Sequence, residues 1–190
     1  MMTDRYAVIG NPIAHSRSPM IHAEFARQTG QDMEYGRRLA PLDGFAAAVQ
    51  AFRREGGRGL NVTLPFKLEA FALADQRSQR ALAAQAANTL RFDADTVFAD
   101  NTDGAGLLRD LQVNVGFGVV GCRVLLMGAG GAAQGVLGPL LTARPALLVI
   151  ANRNVDKGLR LAEHFAEAAG IAAVQLHAGG YADLAGASFD

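Results

Sequence analysis

Cysteine is almost absent from this chain of 190 residues, since Cys122 is the only one. A single cysteine excludes a disulfide within the chain and is typical of a reducing compartment. No charged and then apolar leader precedes Tyr6, and the nearest approach to a membrane-spanning run, residues 115–133, contains Arg123 and many glycines. We therefore expect a cytoplasmic protein that makes no membrane contact.

An excess of charge of either sign is absent too. The 18 basic and 18 acidic residues give a formal net charge of +0 at pH 7. A chain with balanced charge is not expected to have nucleic acid or an anionic membrane surface as its main partner. Its length and its 50% content of hydrophobic residues predict an ordinary globular protein of one or two domains.

Lysine is scarce, because Lys67 and Lys157 are the only two and the remaining basic residues are arginines. A lysine kept in so arginine-rich a chain favours a role for an amine, since guanidinium does not release its proton in the working pH range. Two alternatives are open: codon bias also produces arginine-rich chains, and Lys67 could be an ordinary surface lysine.

Lys67 ends the stretch Asn61-Val62-Thr63-Leu64-Pro65-Phe66-Lys67, which places polar side chains at the end of an apolar run. Pro65 cannot donate to a sheet, so the predicted strand 58–62 must leave the sheet there, and polar groups at such an exit tend to face a cleft. Residues 66–74 predict a helix with Lys67 in its first turn. The positive end of the helix dipole disfavours the charged amine, which predicts that Lys67 acts as a base.

Strand and helix patterns alternate along the chain and predict an α/β fold with a mainly parallel sheet covered by helices. Strands are predicted at 6–9, 33–39, 58–62, 90–92, 97–99, 123–127, 146–151 and 172–176, the fourth and fifth as a hairpin-like pair. Helices are predicted between Ser18 and Gly30, at 44–54 after an Asp43 cap, at 66–74 and at 80–85, and three more end near residues 111, 141 and 169.

Two hydroxyl groups flank the first predicted helix start. Ser18 is expected to cap this helix, Pro19 to be its first residue and Gly30 to end it. A helix start flanked by Ser16 and Ser18 is a ready site for a carboxylate or a phosphate. The alternative, which the local sequence leaves equally open, is that Ser18 only caps the helix and that Ser16 is solvated.

A second polar cluster, Asp100-Asn101-Thr102-Asp103-Gly104, opens the helix that ends near residue 111. Asp103 lies in the first turn of this helix, where the dipole favours a carboxylate in its ionised form. Asp103 is therefore a candidate site residue, and a simple capping role is the alternative.

A dinucleotide-binding fingerprint, Gly128-Ala129-Gly130-Gly131-Ala132-Ala133, follows the predicted strand 123–127 and opens a helix. This is GxGxxA in the setting of strand, tight turn and helix that such a site requires. Gly128 makes the turn, Gly130 lets the backbone approach a pyrophosphate, and Ala133 permits close packing of helix on strand. The sequence therefore predicts that the amino end of this helix holds the pyrophosphate of a dinucleotide.

The residues after the next strand, Asn152-Arg153-Asn154, stand where an NAD site would carry an acidic residue. Arg153 can instead fork onto a 2′-phosphate, and Lys157 adds a second cation, so the predicted cofactor is NADP(H). A solvated helix start is the alternative. The chain that follows is too short for a second βαβαβ half, which predicts an incomplete dinucleotide-binding domain.

The whole chain resembles the amino-terminal two thirds of shikimate dehydrogenase. The motifs that carry the resemblance are Gly10-Asn11-Pro12, Ser16-x-Ser18-Pro19, Asn61-Val62-Thr63-x-Pro65-Phe66-Lys67, Asn88-Thr89, Asn101-Thr102-Asp103-Gly104, Gly128 to Ala133 and Asn152-Arg153. The resemblance implies an N-terminal α/β substrate-binding and catalytic domain, residues 1–103, followed by the first half of a Rossmann-type NADP-binding domain, residues 104–190. It implies an oxidoreductase that reversibly reduces 3-dehydroshikimate to shikimate with NADPH in aromatic amino acid biosynthesis.

The resemblance also implies residue roles. Ser16 and Ser18 would bind the substrate carboxylate, and Lys67 would be the catalytic acid–base with Asp103 beside it. The ring hydroxyls would be bound by Asn61, Thr63, Asn88 and Asp103. The expected cofactor contacts are Gly128, Ala129, Gly130, Gly131, Ala132, Asn152, Arg153, Asn154 and Lys157. Asn154 stands where the family often has threonine, and no metal site is expected.

Two other functions stay open at this point. A dehydrogenase of the same family could also accept quinate, which differs little from shikimate around the carboxylate and ring hydroxyls. A non-catalytic ligand-binding fragment is the second alternative, favoured by the incomplete dinucleotide domain. Coding sequence beyond Asp190 would separate enzyme from module. The expected partner is a small-molecule substrate, and the protein is expected to be a monomer or a homodimer.

Overall fold

The computed structural model describes residues 3–190, and contacts between Cα atoms divide the chain into two compact units, Met1–Asn101 and Thr102–Asp190. The predicted boundary between residues 1–103 and 104–190 falls slightly later, so Asp103 lies in the second unit and not in the first. No helix within the described residues combines the length and the apolar character needed to cross a lipid bilayer.

The first unit is an α/β structure built on a six-stranded sheet in the order β2-β1-β3-β5-β6-β4. Its elements are β1 (Asp4–Gly10), α1 (Ser18–Thr29), β2 (Met33–Leu39), α2 (Phe45–Arg54), β3 (Gly57–Val62), α3 (Lys67–Leu73), β4 (Gln76–Arg77), α4 (Gln79–Ala84), β5 (Thr89–Phe92) and β6 (Val97–Asp100). Strand β5 alone is antiparallel to its neighbours, which confirms the mainly parallel sheet and the hairpin-like pair. The short strand β4 is absent from the sequence prediction, because two residues show no periodicity.

The core of the first unit lies on one face of this sheet. Helix α2 buries Phe45, Val49 and Phe52, whose spacing puts them on a single helical face. Phe66 is fully buried and its ring stacks on Phe45 with centroids 4.8 Å apart. Because side chains alternate along a strand, the opposite face is left to the residues that approach α1 and carry the polar groups described below.

The second unit contains a three-stranded parallel sheet in the order β7-β8-β9. Its elements are α5 (Asp103–Arg109), a π-helical segment (Asp110–Val115), β7 (Arg123–Met127), α6 (Gly131–Thr142), β8 (Leu147–Ala151), α7 (Val155–His164), α8 (Ala166–Ala172), β9 (Gln175–Gly179) and a 3₁₀ turn (Tyr181–Leu184). Parallel strands joined by helices form one half of a Rossmann-type fold, as the sequence predicted.

The last strand predicted in this unit is present, but its predicted start is three residues too early. Residue 172 ends α8, Ala173 takes a left-handed conformation with φ of 57°, and β9 begins only at Gln175. The alanine-rich stretch before it has a high helix propensity, and the helix therefore runs through the first residues of the predicted strand 172–176. The predicted helix ending near residue 169 is in fact two helices that meet at Phe165.

Two predicted helix caps are also wrong. Arg17 holds the N-cap position of α1, Ser18 is its first residue, and no side-chain cap hydrogen bond forms. Gly44, not Asp43, is the N-cap of α2. The Ser18 hydroxyl is engaged instead with the Ser16 hydroxyl, 3.2 Å away, which removes it from the capping role. Gly30 ends α1 as predicted, with a left-handed φ of 67°.

The close packing of α5 on α6 can be tested by substitution at Gly104. A Cβ at Gly104 would lie 2.4 Å from Pro139 Cγ and 2.8 Å from the Gly135 carbonyl oxygen. We expect Gly104→Ala to lower the free energy of unfolding by about 1–3 kcal/mol, because the two helices must move apart. The control is Gly106→Ala in the same helix, where a Cβ meets nothing within 4 Å. This change should raise stability by about 0.5–1 kcal/mol, and equal effects of both changes in urea unfolding would contradict the packing argument.

Candidate functional site

Polar side chains collect at one edge of the first sheet. Strands β3 and β6 end at this edge and the antiparallel strand β5 begins there, so their terminal residues become neighbours. Val8 pairs with Asn61, Asn61 with Thr89, and Thr89 with Asp100 in the strand registers. Residues that pair across strands share a face of the sheet, and this row therefore carries an amide, a hydroxyl and a carboxylate side by side.

The loops that follow β1 and β3 are bonded to each other at this edge. The Asn11 backbone N–H donates to the Leu64 carbonyl at 3.0 Å, and the Thr63 backbone N–H donates to the Ile9 carbonyl at 3.0 Å. A Cβ at Gly10 would lie 2.5 Å from Thr63 Cγ2, so only glycine allows this approach. The Asn11–Pro12 and Leu64–Pro65 peptide bonds are both cis. The two backbone hydrogen bonds between the loops fix the loop that leads to Lys67.

Lys67 is the first residue of α3, which confirms the predicted place in a first turn. Its backbone is anchored on both sides: the Lys67 carbonyl accepts from the Ala87 amide at 2.8 Å, and the preceding Phe66 is buried in the core. The side chain is half-buried. These anchors fix the backbone of Lys67 beside the residues that lead into β5.

The two predicted serines lie beside a tyrosine that the sequence did not single out. Ser16 Oγ donates to Ser18 Oγ at 3.2 Å, and the Tyr35 hydroxyl donates to Asn61 Oδ1 at 2.6 Å. Burial raises the pKa of Tyr35 to about 12, against the opposing effect of a hydrogen bond from Ser18. Tyr35 thus keeps its proton at neutral pH and joins the serines to Asn61.

Two further side chains hold the serine loop in place. Arg37 donates to the Ser16 carbonyl through Nε at 2.9 Å and through Nη2 at 2.5 Å. His22 lies flat on the Tyr35 ring, with centroids 3.9 Å apart and an interplanar angle of 11°, and its Nδ1 is 2.9 Å from the Ser18 carbonyl. The bonds from Arg37 and the stacking of His22 on Tyr35 join residues that are distant in sequence, which local pattern reasoning could not find.

Asp100 anchors the end of β6. Its Oδ1 accepts from Ser78 Oγ at 2.5 Å and from the Asn101 amide at 2.7 Å, and Arg80 forms an ion pair with the same carboxylate. Burial alone would raise the pKa of Asp100, but the hydrogen bonds from Arg80, Ser78 and the Asn101 amide hold it below its usual value. Next to it, Asn101 is 2% exposed and donates to the Ala86 carbonyl at 3.0 Å. Asp100 is therefore a structural anion whose oxygens are already engaged.

In the second unit, the glycine-rich turn is open on the side of its glycines. Gly128 takes a φ of +112°, and Gly130 is extended with φ of −96° and ψ of −174°. A Cβ at either position would meet nothing within 4 Å, so open space lies in front of the turn. The first amides of α6 have no partner within their own helix, as at any helix start. Ala133 is 6% exposed and packs in the core of this unit.

The predicted cofactor residues at the turn after β8 are of two kinds: asparagines that bond within the turn, and exposed cations. Asn154 uses Oδ1 to accept from the Lys157 amide at 3.1 Å and so caps α7, while Asn152 Nδ2 donates to the Asn154 carbonyl at 2.7 Å. These bonds shape the turn. Arg153 and Lys157 are exposed, and within residues 3–190 neither side chain forms an ion pair. Their cations are thus accessible to a phosphate.

The predicted catalytic pair comes from both units. Lys67 begins α3 in the first unit, whereas Asp103 begins α5 in the second. Asp103 holds the first-turn position that the sequence predicted, with Thr102 as the N-cap and no side-chain cap bond. The proximity of the two side chains stays a prediction. Among the described residues, no group of three or more histidine, cysteine, aspartate or glutamate side chains could hold a metal ion.

A polar edge on one α/β unit and a dinucleotide fingerprint on another define the class of dinucleotide-dependent oxidoreductases. Residues 8–90 match the family model described as the shikimate dehydrogenase substrate binding domain, and residues 112–178 match the one described as shikimate / quinate 5-dehydrogenase. A protein of Aromatoleum aromaticum named shikimate dehydrogenase (NADP(+)) is 63% identical over 190 residues, which cover 100% of this chain and 67% of that protein. The chain belongs to the shikimate dehydrogenase family.

Solved structures resemble the whole chain. The Ael1 enzyme from Pseudomonas putida superposes with a TM-score of 0.84 at 50% identity, over 98% of this chain and 67% of that one. Shikimate 5-dehydrogenase from Thermus thermophilus, crystallised in complex with NADP(H) and shikimate, gives a TM-score of 0.79 at 33% identity, over 91% of this chain and 62% of that one. The mixed α/β fold with a Rossmann-like second unit is thus the fold of this family.

Proposed function

We propose that the protein containing this chain is an NADP-dependent oxidoreductase that reversibly reduces 3-dehydroshikimate to shikimate in aromatic amino acid biosynthesis. The first unit carries the substrate site and the acid–base lysine, and the second carries the dinucleotide site. The observation that supports this assignment most directly is the polar edge of the first sheet. There Lys67 is anchored at a helix start, and the Ser16 and Ser18 hydroxyls connect through Tyr35 to Asn61.

The proposed site matches the chemistry of a hydroxylated ring acid. The Ser16 and Ser18 hydroxyls and the amides at the start of α1 can donate to a carboxylate. The amide of Asn61 and the hydroxyl of Thr63 suit ring hydroxyls, which both donate and accept hydrogen bonds. We assign Asn88 and Asp103 to the same ring hydroxyls.

Lys67 supplies the proton chemistry in this proposal. NADP(H), when bound, supplies the hydride donor or acceptor. A hydride that leaves a ring carbon requires a proton to leave the attached oxygen, and one positioned base is enough for that step. Lys67 Nζ takes this proton in the oxidation of shikimate and returns it in the reduction of 3-dehydroshikimate. By the family resemblance, Asp103 is assigned to the same reaction as the second catalytic residue.

The second unit fits a phosphorylated dinucleotide. The open turn at Gly128 and Gly130 suits the pyrophosphate, with Ala129, Gly131 and Ala132 supplying the surrounding backbone. Arg153 and Lys157 suit the 2′-phosphate, while Asn152 and Asn154 shape the turn that carries Arg153. NADP(H) is therefore assigned as the cofactor over NAD(H).

Turnover by the complete protein tests this function. Shikimate with NADP⁺ is expected to give a steady rise in NADPH absorbance, and NAD⁺ in place of NADP⁺ is expected to give a much smaller rate at the same concentration. The absence of turnover with shikimate and NADP⁺ would contradict the assignment.

A broader substrate range is the second candidate, because the family model matched by residues 112–178 names quinate beside shikimate. The ratio of kcat/KM for the two substrates decides between them. A ratio near one would favour a shikimate and quinate dehydrogenase.

We also propose that the protein acts in the cytoplasm and takes a small molecule, not nucleic acid, as its partner. The single cysteine, Cys122, is in keeping with a reducing compartment, and the net charge of +0 offers no general attraction for nucleic acid. Sedimentation of the complete protein would separate a monomer from a homodimer.

A further inference from the structure

Tyr35 occupies the middle of a hydrogen-bond chain that joins four of the assigned substrate residues. On one side, Ser16 Oγ donates to Ser18 Oγ at 3.2 Å, and the Ser18 hydroxyl lies near enough to Tyr35 to act on its pKa as a hydrogen-bond donor. On the other side, the Tyr35 hydroxyl donates to Asn61 Oδ1 at 2.6 Å. Each hydroxyl both accepts and donates, so the direction of donation runs from the serines to the asparagine.

The chain continues from Asn61 across the sheet. Asn61 Nδ2 donates to Thr89 Oγ1 at 3.4 Å, and Thr89 Oγ1 donates to Asn88 Oδ1 at 2.9 Å. Every acceptor in this series meets a donor, and the described residues contain no buried side-chain nitrogen or oxygen without a partner. The series ends at Asn88, the second amide assigned to the ring hydroxyls.

The tyrosine hydroxyl fixes which way the Asn61 amide faces. An asparagine amide has an oxygen that only accepts and a nitrogen that only donates, and the two ends can exchange by rotation. Because Tyr35 donates to Oδ1, the nitrogen faces the opposite way, where one hydrogen reaches Thr89 and the second is left for a ligand. Without the tyrosine hydroxyl, the long hydrogen bond to Thr89 at 3.4 Å would be the only contact left to set the orientation of the amide.

Tyr35 is itself held in position from two sides. Its ring lies under the His22 ring at a centroid distance of 3.9 Å, and His22 is tied by its Nδ1 to the Ser18 carbonyl at 2.9 Å. The hydroxyl crosses β1 diagonally to reach Asn61, since Tyr35 pairs with Tyr6 while Asn61 pairs with Val8. A tyrosine that is stacked and hydrogen-bonded in this way has little freedom left to lose when a ligand binds.

We infer that Tyr35 is a positioning residue for the substrate: its hydroxyl sets the Asn61 amide as a hydrogen-bond donor and couples it to the Ser16 and Ser18 hydroxyls. The inference rests on the proposed function, because it assigns this coupling to the binding of shikimate. Tyr35 is not assigned a contact with the reacting atoms. Its removal should therefore affect the binding of the ring acid and leave the proton transfer at Lys67 intact.

The test is Tyr35→Phe in the complete protein, which removes only the hydroxyl. We expect the KM for shikimate to rise about tenfold, with kcat within about twofold and the KM for NADP⁺ unchanged. The matched control is Tyr6→Phe. Tyr6 pairs with Tyr35 on the neighbouring strand, and its hydroxyl forms no hydrogen bond in the described part of the chain, so all three constants should stay at the parent values.

A double-mutant cycle separates positioning through Asn61 from a general structural effect. In an Asn61→Ala background, Tyr35→Phe should raise the KM for shikimate by less than about twofold, because the amide it orients is gone. A tenfold rise in the KM for shikimate in both backgrounds would overturn the inference. A KM for shikimate equal to that of the parent protein in Tyr35→Phe alone would overturn it as well. If the parent protein turns over shikimate and Tyr35→Phe is silent, only the inference fails. If the parent does not turn over shikimate, the proposed function fails with it.

Discussion

Replacing Lys67 by alanine is expected to lower the kcat of the complete protein for shikimate oxidation by about 10²–10⁴-fold, the usual contribution of a positioned acid–base group. The KM for shikimate should rise by less than about tenfold, since Lys67 is one of several groups assigned to the substrate. A loss confined mainly to kcat marks an interaction made in the transition state and not in the ground state.

The structure gives a physical reason to expect so unequal an effect. Lys67 is the first residue of α3, and its backbone carbonyl is bonded to the Ala87 amide at 2.8 Å. The Phe66 ring beside it is buried against Phe45. Neither anchor involves the amine, so the helix should keep its place when the side chain is shortened, and alanine is a good helix former. The groups assigned to the carboxylate and ring hydroxyls then remain in position.

Lys67→Arg is the matched variant for this test. Arginine keeps the positive charge and most of the length, but its guanidinium does not release a proton near neutrality. We expect its KM for shikimate to stay closer to the parent value than that of Lys67→Ala, while kcat falls to a similar extent. Near-normal kcat in either variant would reject Lys67 as the acid–base group. The control is that each variant has the same thermal unfolding midpoint as the parent.

Sequence reasoning succeeded where the structure depends on neighbours in the chain. The glycine turn at Gly128 and the start of α3 at Lys67 follow from rules that act over a few residues: which residues tolerate a left-handed φ, which can begin a helix and which cannot donate to a sheet. The α/β fold class follows from the alternation of strands and helices, whereas the division into two domains came from the resemblance to the family. These are the features that a single sequence carries plainly.

The contacts of Tyr35 show what a single sequence does not carry. Its partner Asn61 lies two strands away, and the contact depends on the register of β1 between them and on the stacking of His22 from α1. Tyr35 stands in a strand whose successive side chains face opposite sides of the sheet. Its position in the sequence therefore looks like that of any aromatic residue on a sheet. A distant pairing must be known before this hydroxyl can be placed.

The error at the start of α1 has a different origin. Serine is a favoured N-cap, which predicts Ser18 as the cap of α1, yet Arg17 holds that position and the Ser18 hydroxyl turns to Ser16. A hydrogen bond between hydroxyls two residues apart took the place of the expected cap. It is the hydroxyls assigned to substrate that depart from the local rule, which is where such departures are expected.

Charge reversal at Arg153 is the second large effect. We expect Arg153→Asp to weaken NADPH binding by about 10²–10⁴-fold, because hydrogen bonds to charged groups contribute about 1.5–3 kcal/mol each and a fork supplies two of them. NADH binding should change by less than about threefold or tighten, since an acidic residue at this position suits the ribose hydroxyls of NADH. Fluorescence titration of each dinucleotide into the complete protein measures both effects.

Two matched variants show whether the effect belongs to the 2′-phosphate. Arg160→Asp makes the same charge change on the exposed side of α7 and should weaken both dinucleotides by less than about twofold. Arg153→Gln removes the fork without adding a negative charge, so its loss of NADPH affinity should fall between those of the parent and Arg153→Asp. These substitutions should leave the turn around Arg153 folded, because Asn152 and Asn154, and not the arginine side chain, form the hydrogen bonds that hold it. Equal weakening of NADPH and NADH by Arg153→Asp would mean that Arg153 supports the fold of the turn, and the preference for NADP(H) would need another source.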